Sequence, residues 1–136
     1  VMWKPIIANN PDLWVWMGDI VYMDSEDMEI TKEAYDKQKS NSDYKQLIKQ
    51  TNVIGIWDDH DYGFNDGGKN WPVKDLKKEV MFDFLNEPEN SPRRAHKGVY
   101  ISYDYYLNDV DFIHVIMLDG RYFRDTLTRS DNPDRR

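Results

Sequence analysis

VIGIWDDHDYG, residues 53–63, sets an apolar run directly against a run of carboxylates. Its first half, VIGIW, is too short for a typical helix and is rich in β-branched residues. It reads as a buried strand. Its second half opens a loop over residues 58–70 that is dense in Asp, Gly and Asn. Upstream, DLWVWM (residues 12–17) follows Pro11 and ends in Gly18-Asp19, the same arrangement a second time. Ligands in α/β sheets bind beyond the carboxyl ends of strands. Both acidic tips therefore lie where a site is expected.

The elements outside these two strands complete the pattern. Residues 30–50 are polar and are predicted helical in two pieces, with Ser40 and Asp43 spaced as a capping box. Tyr44, Leu47 and Ile48 fall on one helical face. Pro72 suits a helix start. Val73, Leu76, Val80 and Phe84 follow at helical spacing, and Pro88 lies past the end. Residues 99–103 alternate as a half-buried strand does, Asn108-Asp109 suits a hairpin turn, and VDFIHVIML (110–118) reads as a long strand. The order strand, helices, strand, helix, hairpin predicts an α/β (α+β) fold with sheets covered by helices. No repeat or linker divides it, so residues 1–136 are read as a single domain. Residues 1–5 look like a cut into a helix and 130–136 like a cut into a polar loop. The expectation is a partial domain, truncated at both ends.

Composition narrows the function. A net charge of −7 with no basic stripe argues against attraction to nucleic acid or an anionic membrane. No apolar run approaches the roughly 20 residues of a membrane span. With 40% apolar residues, 14% of the chain being aromatic, the sequence is neither disordered nor fibrous. The absence of cysteine removes disulfides and thiolate metal sites.

Carboxylates carry the chemistry. Asp58, Asp59, Asp61 and Asp66 face one cation in the same loop, Lys69. Such a cluster is solvated, protonated or neutralised by a cation, and mutual repulsion should raise its pKa values. Hard metals take oxygen ligands, and transition metals add imidazole. A solvated acidic turn explains the loop equally well from composition alone. An EF-hand does not, because counting from Asp59 puts Gly63 where a ligand belongs and a strand, not a helix, precedes it. At the other tip, Tyr22 lies three residues after Asp19, so a single turn aims both oxygens at one point. His60 is the histidine beside carboxylates, whereas His96 and His114 are read as structural. Arg121 and Arg124 are read as partners of Asp119 or Asp125, outside the site.

Three blocks, PDLWVWMGDIVYMD (11–24), GIWDDHDYGFNDGG (55–68) and VIMLDGRYFRD (115–125), resemble in order and separation consecutive blocks of the PhoD-like (alkaline phosphatase D) metallophosphatases. The resemblance covers roughly residues 3–126, and WDDHDYG is its most specific part. These proteins belong to the calcineurin-like metallophosphoesterases, which bind two metals at strand ends in a β-sandwich flanked by helices. The resemblance implies a metal-dependent phosphoester hydrolase holding two metal ions, Fe³⁺ and Ca²⁺ first, with Mn²⁺ or Zn²⁺ as alternatives. Residue by residue, it implies that Asp19 bridges the metals and that Tyr22 ligates Fe³⁺ as tyrosinate. Asp59 stands where relatives place the Asn of a Gly-Asn-His motif. His60 contacts the phosphoryl group, and Asp61 orients His60. A phosphoester is the implied partner, and the parent protein is expected to be exported or membrane-associated. The family's upstream Cys motif and its downstream His motif are not found in this sequence, so the expectation is about half a site. Two other readings stay open: a non-catalytic binding module on the same fold, and a Ca²⁺-stabilised structural domain.

Overall fold

The structure is a computed structural model, which describes residues 2–127. In chain order the elements are α1 (Trp3–Ala8), β1 (Leu13–Met17), α2 (Met28–Ser40), α3 (Ser42–Gln50) and β2 (Asn52–Ile56). There follow α4 (Asp59–Tyr62), α5 (Lys74–Phe84), α6 (Pro92–Ala95), β3 (Ile101–Tyr106) and β4 (Phe112–Met117). The chain is mixed α and β, as expected, with two small sheets among the described residues.

β1 and β2 pair in parallel, with Leu13 opposite Asn52 and Met17 opposite Ile56. Parallel strands need a long crossover, and α2 and α3 supply it. Asp27 caps α2 by accepting from the Glu29 N–H at 2.8 Å. The break between α2 and α3 falls at Asn41, whose ψ of 125° leaves the helical region. Asn41 accepts from the N–H groups of Asp43 and Tyr44 at 3.0 and 3.1 Å. The expected capping box at Ser40 is therefore corrected to an Asn41 cap. The Ser40 hydroxyl donates back to the Lys37 carbonyl instead, at 2.8 Å, because Ser40 still belongs to the last turn of α2.

Aromatic rings fill the space between this sheet and the helices. Trp3, Trp16, Tyr44 and Phe84 are all buried. Trp3 meets Trp16 edge-on at 5.7 Å, and Tyr44 stacks on Phe84 at 5.7 Å. The Trp16 indole N–H donates to the Tyr44 hydroxyl at 3.2 Å, which satisfies a buried donor. On α5 the buried positions include Lys77, Met81 and Phe84, whereas Leu76 is exposed. The inward face thus keeps Phe84 from the expected helical series and leaves Leu76 out.

β3 and β4 form an antiparallel hairpin, with Ile101 opposite Met117 and Tyr106 opposite Phe112. The Asn108 side chain holds the turn, accepting from Val110 and Asp111 N–H groups at 2.9 and 2.8 Å. Buried Arg93 connects the hairpin to β2. Its Nη2 donates to the Gly55 carbonyl at 2.6 Å, and its Nε to the Val99 carbonyl at 3.0 Å. The loop expected over 58–70 contains the short helix α4, which begins after Trp57 and Asp58 have left β2. No helix among the described residues is long and apolar enough to cross a membrane.

Candidate metal centre

Parallel pairing puts the carboxyl ends of β1 and β2 side by side, so the loops after Met17 and Ile56 start as neighbours. Gly18 makes their contact possible. It has φ of 106°, and a Cβ there would lie 2.4 Å from Asp58 Cβ and 2.7 Å from Asp58 N. Asp19 follows in the left-handed region, at φ 52°, a conformation that short polar side chains tolerate.

This turn brings the expected residues together. Asp19, Asp59 and His60 present ligand atoms within 4.8 Å of one another. The Tyr22 hydroxyl donates to Asp19 Oδ2 at 2.9 Å, and the Tyr22 and His60 rings lie 4.4 Å apart. Asp19 Oδ1 is buried without a hydrogen-bond partner. Asp59 Oδ2 accepts from the Asp66 N–H at 2.9 Å, while its Oδ1 lies 3.6 Å from Arg121 Nη2.

Asp61 plays a different part from the one expected. It does not orient His60. Asp61 is fully buried. Its Oδ1 accepts from the Val21 N–H and its Oδ2 from the Asp58 N–H, both at 2.9 Å. The reason is local geometry. Asp58 caps α4 and Asp61 is the third helical residue, so its side chain turns back to the cap. Neighbouring helical side chains diverge by about 100°, which keeps Asp61 away from the His60 ring. Asp61 instead fastens the two site loops to each other. The group that orients His60 is Asp24, whose two oxygens each lie 3.1 Å from Nδ1. Asp24 sits five residues past Asp19 in the same sequence block, and that proximity was its one available signal.

Arg121 is the second residue that sequence reasoning placed wrongly. Its Nε donates to Asp58 Oδ1, its Nη2 faces Asp59, and its Nη1 lies 3.9 Å from Asp66 Oδ1. Of the partners expected for it, Asp125 pairs with Lys69, and Asp119 accepts from Arg121 only the backbone N–H, at 2.8 Å. Asp119 also accepts from the Trp57 indole at 3.0 Å and from the Val99 N–H at 2.8 Å. Arg124 also turns to the acidic loop, donating to the Gly67 carbonyl at 3.1 Å and to the Asp66 carbonyl. His114 pairs with Asp104 on the hairpin, and His96 stacks on Tyr100 at 4.4 Å, so neither joins the cluster.

The electrostatics follow from these partners. Burial pushes the Asp61 carboxyl up to about 6, against the pull of the N–H groups that it accepts from. Burial also acts upward on Asp59, but the Asp66 N–H and the Arg121 charge outweigh it and hold Asp59 below its ordinary value. The expected rise through mutual repulsion is therefore absent at Asp59, because a cation already faces the loop. For His60, burial acts downward. The hydrogen bond and charge of Asp24, with the charges of Asp19 and Asp59, outweigh it and raise the imidazole above its ordinary value. The hydrogen bond to Asp19, with that carboxylate's charge, raises the Tyr22 phenol.

A metal fits these donors. A buried carboxylate oxygen without a partner is costly, and a cation beside Asp19 Oδ1 removes that cost. Two carboxylates, a phenol and an imidazole suit hard or borderline ions such as Fe³⁺, Mn²⁺ and Zn²⁺, with Ca²⁺ served by the oxygens alone. Compared with protein-family models, with curated proteins and with solved structures, the chain gave no match.

Proposed function

We propose that this chain carries part of the metal centre of a phosphoester hydrolase, built on a calcineurin-like β-sandwich flanked by helices. The observation that supports the reading is the gathering of Asp19, Asp59 and His60, with ligand atoms within 4.8 Å of one another, beside a Tyr22 hydroxyl bonded to Asp19 and a buried Asp19 oxygen that has no partner. Asp19, Tyr22 and Asp59 would hold the metal. When bound, the two ions supply an acidified water and positive charge for the phosphoryl oxygens.

The chain's own residues prepare the rest. Asp24 holds Nδ1 of His60, which leaves Nε2 to carry the proton that a departing alkoxide needs. Against the downward effect of burial, the Asp24 hydrogen bond and the charges of Asp24, Asp19 and Asp59 raise the His60 pKa and favour the protonated imidazole. Asp61 keeps the two loops at a fixed separation by binding the backbone of each. The Tyr22 hydroxyl donates to Asp19 Oδ2 at 2.9 Å, and as a phenolate it would be a further oxygen ligand beside Asp19. Three protein ligands are fewer than two ions take. Full activity therefore belongs to a parent protein in which further ligands join these.

Loading the chain with Fe³⁺ and recording its visible spectrum tests the reading. A tyrosinate charge-transfer band is expected that Tyr22→Phe abolishes, with metal lost in Asp19→Ala. Turnover of p-nitrophenyl phosphate and its bis-ester, with Fe³⁺, Ca²⁺, Mn²⁺ or Zn²⁺ present, is expected to be weak and to vanish in His60→Ala. Metal binding that Asp19→Ala leaves intact, or turnover indifferent to His60→Ala, refutes the proposal.

A further inference from the structure

Asp58, Asp59 and Asp66 crowd one loop, and a loop of like charges disperses unless a cation neutralises it. The cation comes from far along the chain. The Arg121 side chain is only 12% exposed, and it turns three nitrogens towards three carboxylates. Nε hydrogen-bonds to Asp58, Nη2 lies 3.6 Å from Asp59, and Nη1 lies 3.9 Å from Asp66. The first contact is a hydrogen bond and the other two are longer ion pairs, with Nη1 left without a hydrogen-bond partner; a planar guanidinium can face several carboxylates at once, whereas an ammonium is a compact point charge.

The base of the side chain is fixed as well. The Arg121 N–H donates to Asp119 Oδ1 at 2.8 Å. That same oxygen accepts from Trp57 Nε1 at 3.0 Å and from the Tyr122 N–H at 2.9 Å. Trp57 is the residue from which the acidic loop leaves β2. Arg121 is thus anchored at the root of the loop that it neutralises.

From this geometry we infer that Arg121 is the standing counter-ion of the 58–66 loop and the positioning residue for Asp59, holding the metal site assembled before any metal arrives. The second half of this inference rests on the metal reading above. Asp59 is turned by two contacts, the Asp66 N–H on Oδ2 and Arg121 on Oδ1, and is so presented towards Asp19 and His60. Arg124 also lies 3.9 Å from Asp66 Oδ1, and two guanidiniums against the carboxylates of Asp58, Asp59 and Asp66 still leave these groups net negative, so attraction for a cation survives. Metal binding then does not have to order the loop.

Hydrogen–deuterium exchange on the 136-residue chain tests this, first with chelator and then with saturating Mn²⁺, in wild type, Arg121→Gln and Arg121→Lys. In wild type, amides of residues 58–68 are expected to be protected without metal. In Arg121→Gln they exchange about tenfold faster or more, while α2 and α5 keep their protection. Mn²⁺ restores the segment, a response that a purely structural role does not produce. Arg121→Lys falls between the two, because charge returns without the fork. The inference is overturned if Arg121→Gln leaves the segment protected, if wild type is unprotected until Mn²⁺ is added, if Arg121→Lys behaves as wild type, or if α2 and α5 lose protection too. If the metal-free arm holds and Mn²⁺ neither binds wild type nor restores Arg121→Gln, the counter-ion role stands and the metal reading fails.

Discussion

Replacing Gly18 with Ala attacks the contact on which the site depends. The added Cβ would stand 2.4 Å from Asp58 Cβ and 2.7 Å from Asp58 N, in a residue whose φ is 106°. Left-handed backbone costs a side-chain-bearing residue roughly 1–2 kcal/mol. Relieving the overlap requires the two loops to separate, since backbone and not a flexible side-chain end is being struck. Overpacking of that kind costs about 1–3 kcal/mol. The sum is roughly 2–5 kcal/mol, which lowers the melting temperature by on the order of 10 °C in a chain of this size. Separation also draws Asp19 away from Asp59 and stretches the bonds by which Asp61 ties Val21 to Asp58, so metal affinity should fall along with stability. Gly120→Ala is the internal control, because nothing lies within 4 Å of a Cβ there. Its expected effect is below about 0.5 kcal/mol. Urea unfolding followed by tryptophan fluorescence, with Mn²⁺ titration of each variant, reads both quantities. Gly18→Ala that unfolds at the wild-type midpoint and binds Mn²⁺ as wild type does would refute the idea that close loop contact builds the site.

Two further expectations follow from the partners seen at the site. Asp24→Ala should lower the His60 titration midpoint in the metal-free chain, as read by imidazole ¹⁵N shifts. The raised pKa means that the pairing stabilises the fold fully below the unfolded-state value of His and loses its effect as pH rises through the folded value; an unmoved midpoint excludes Asp24 as the partner. Asp61 has its pKa raised from 3.8 to about 6 by burial, so its contribution is complete below 3.8 and is lost as pH climbs through 6. That loss amounts to roughly 3 kcal/mol. Stability curves measured by urea unfolding should show the fall between pH 3.8 and about 6 in wild type, and a smaller one there in Asp61→Asn; parallel curves over that interval would contradict the assignment.

Legibility in the sequence followed the range of the forces involved. β1 and β2 were readable because their apolar runs are short and β-branched or aromatic, and end at Gly18-Asp19 and Asp58-Asp59. Asn41 was missed because Ser40 and Asp43 fit a capping spacing, yet the residue that leaves helical backbone is the one that caps. α4 was missed because a four-residue helix carries no periodicity. Its cap shows only once Asp61 is seen turning back to the Asp58 N–H. The gathering of Asp19, Tyr22, Asp59 and His60 was expected from strand ends and from resemblance. Their partners were not, because Asp24 reaches His60 across 36 residues and Arg121 reaches Asp58 across 63. No local pattern encodes contacts of that range. Nearness in sequence points Arg121 to Asp119 or Asp125, but its side chain reaches Asp58, and Asp119 accepts from Trp57, Val99 and the Arg121 backbone N–H instead.

The same long-range logic explains a buried lysine. Lys77 of α5 is fully buried, and its ammonium donates to the Ser25 carbonyl at 2.6 Å and to the Thr31 hydroxyl. Burial lowers its pKa, and the charges of Asp27 and Glu26 offset part of that. Its partners are neutral, so the gain is geometric: three donors on one flexible stem satisfy acceptors in the 24–27 segment and at the start of α2. Gly63, the left-handed residue that ends α4, packs on the same stem, where a Cβ would meet Lys77 Cε at 3.0 Å and the Ser25 carbonyl oxygen at 3.1 Å. Lys77 therefore grips, from α5, both the segment carrying Asp24 and the end of the helix carrying His60. The Asp24–His60 pair is exposed to solvent at the surface, yet the backbone beneath each member is held by one side chain in the core. A pair so mounted keeps its orientation without depending on the strength of its own exposed hydrogen bond, which solvent screening would otherwise weaken.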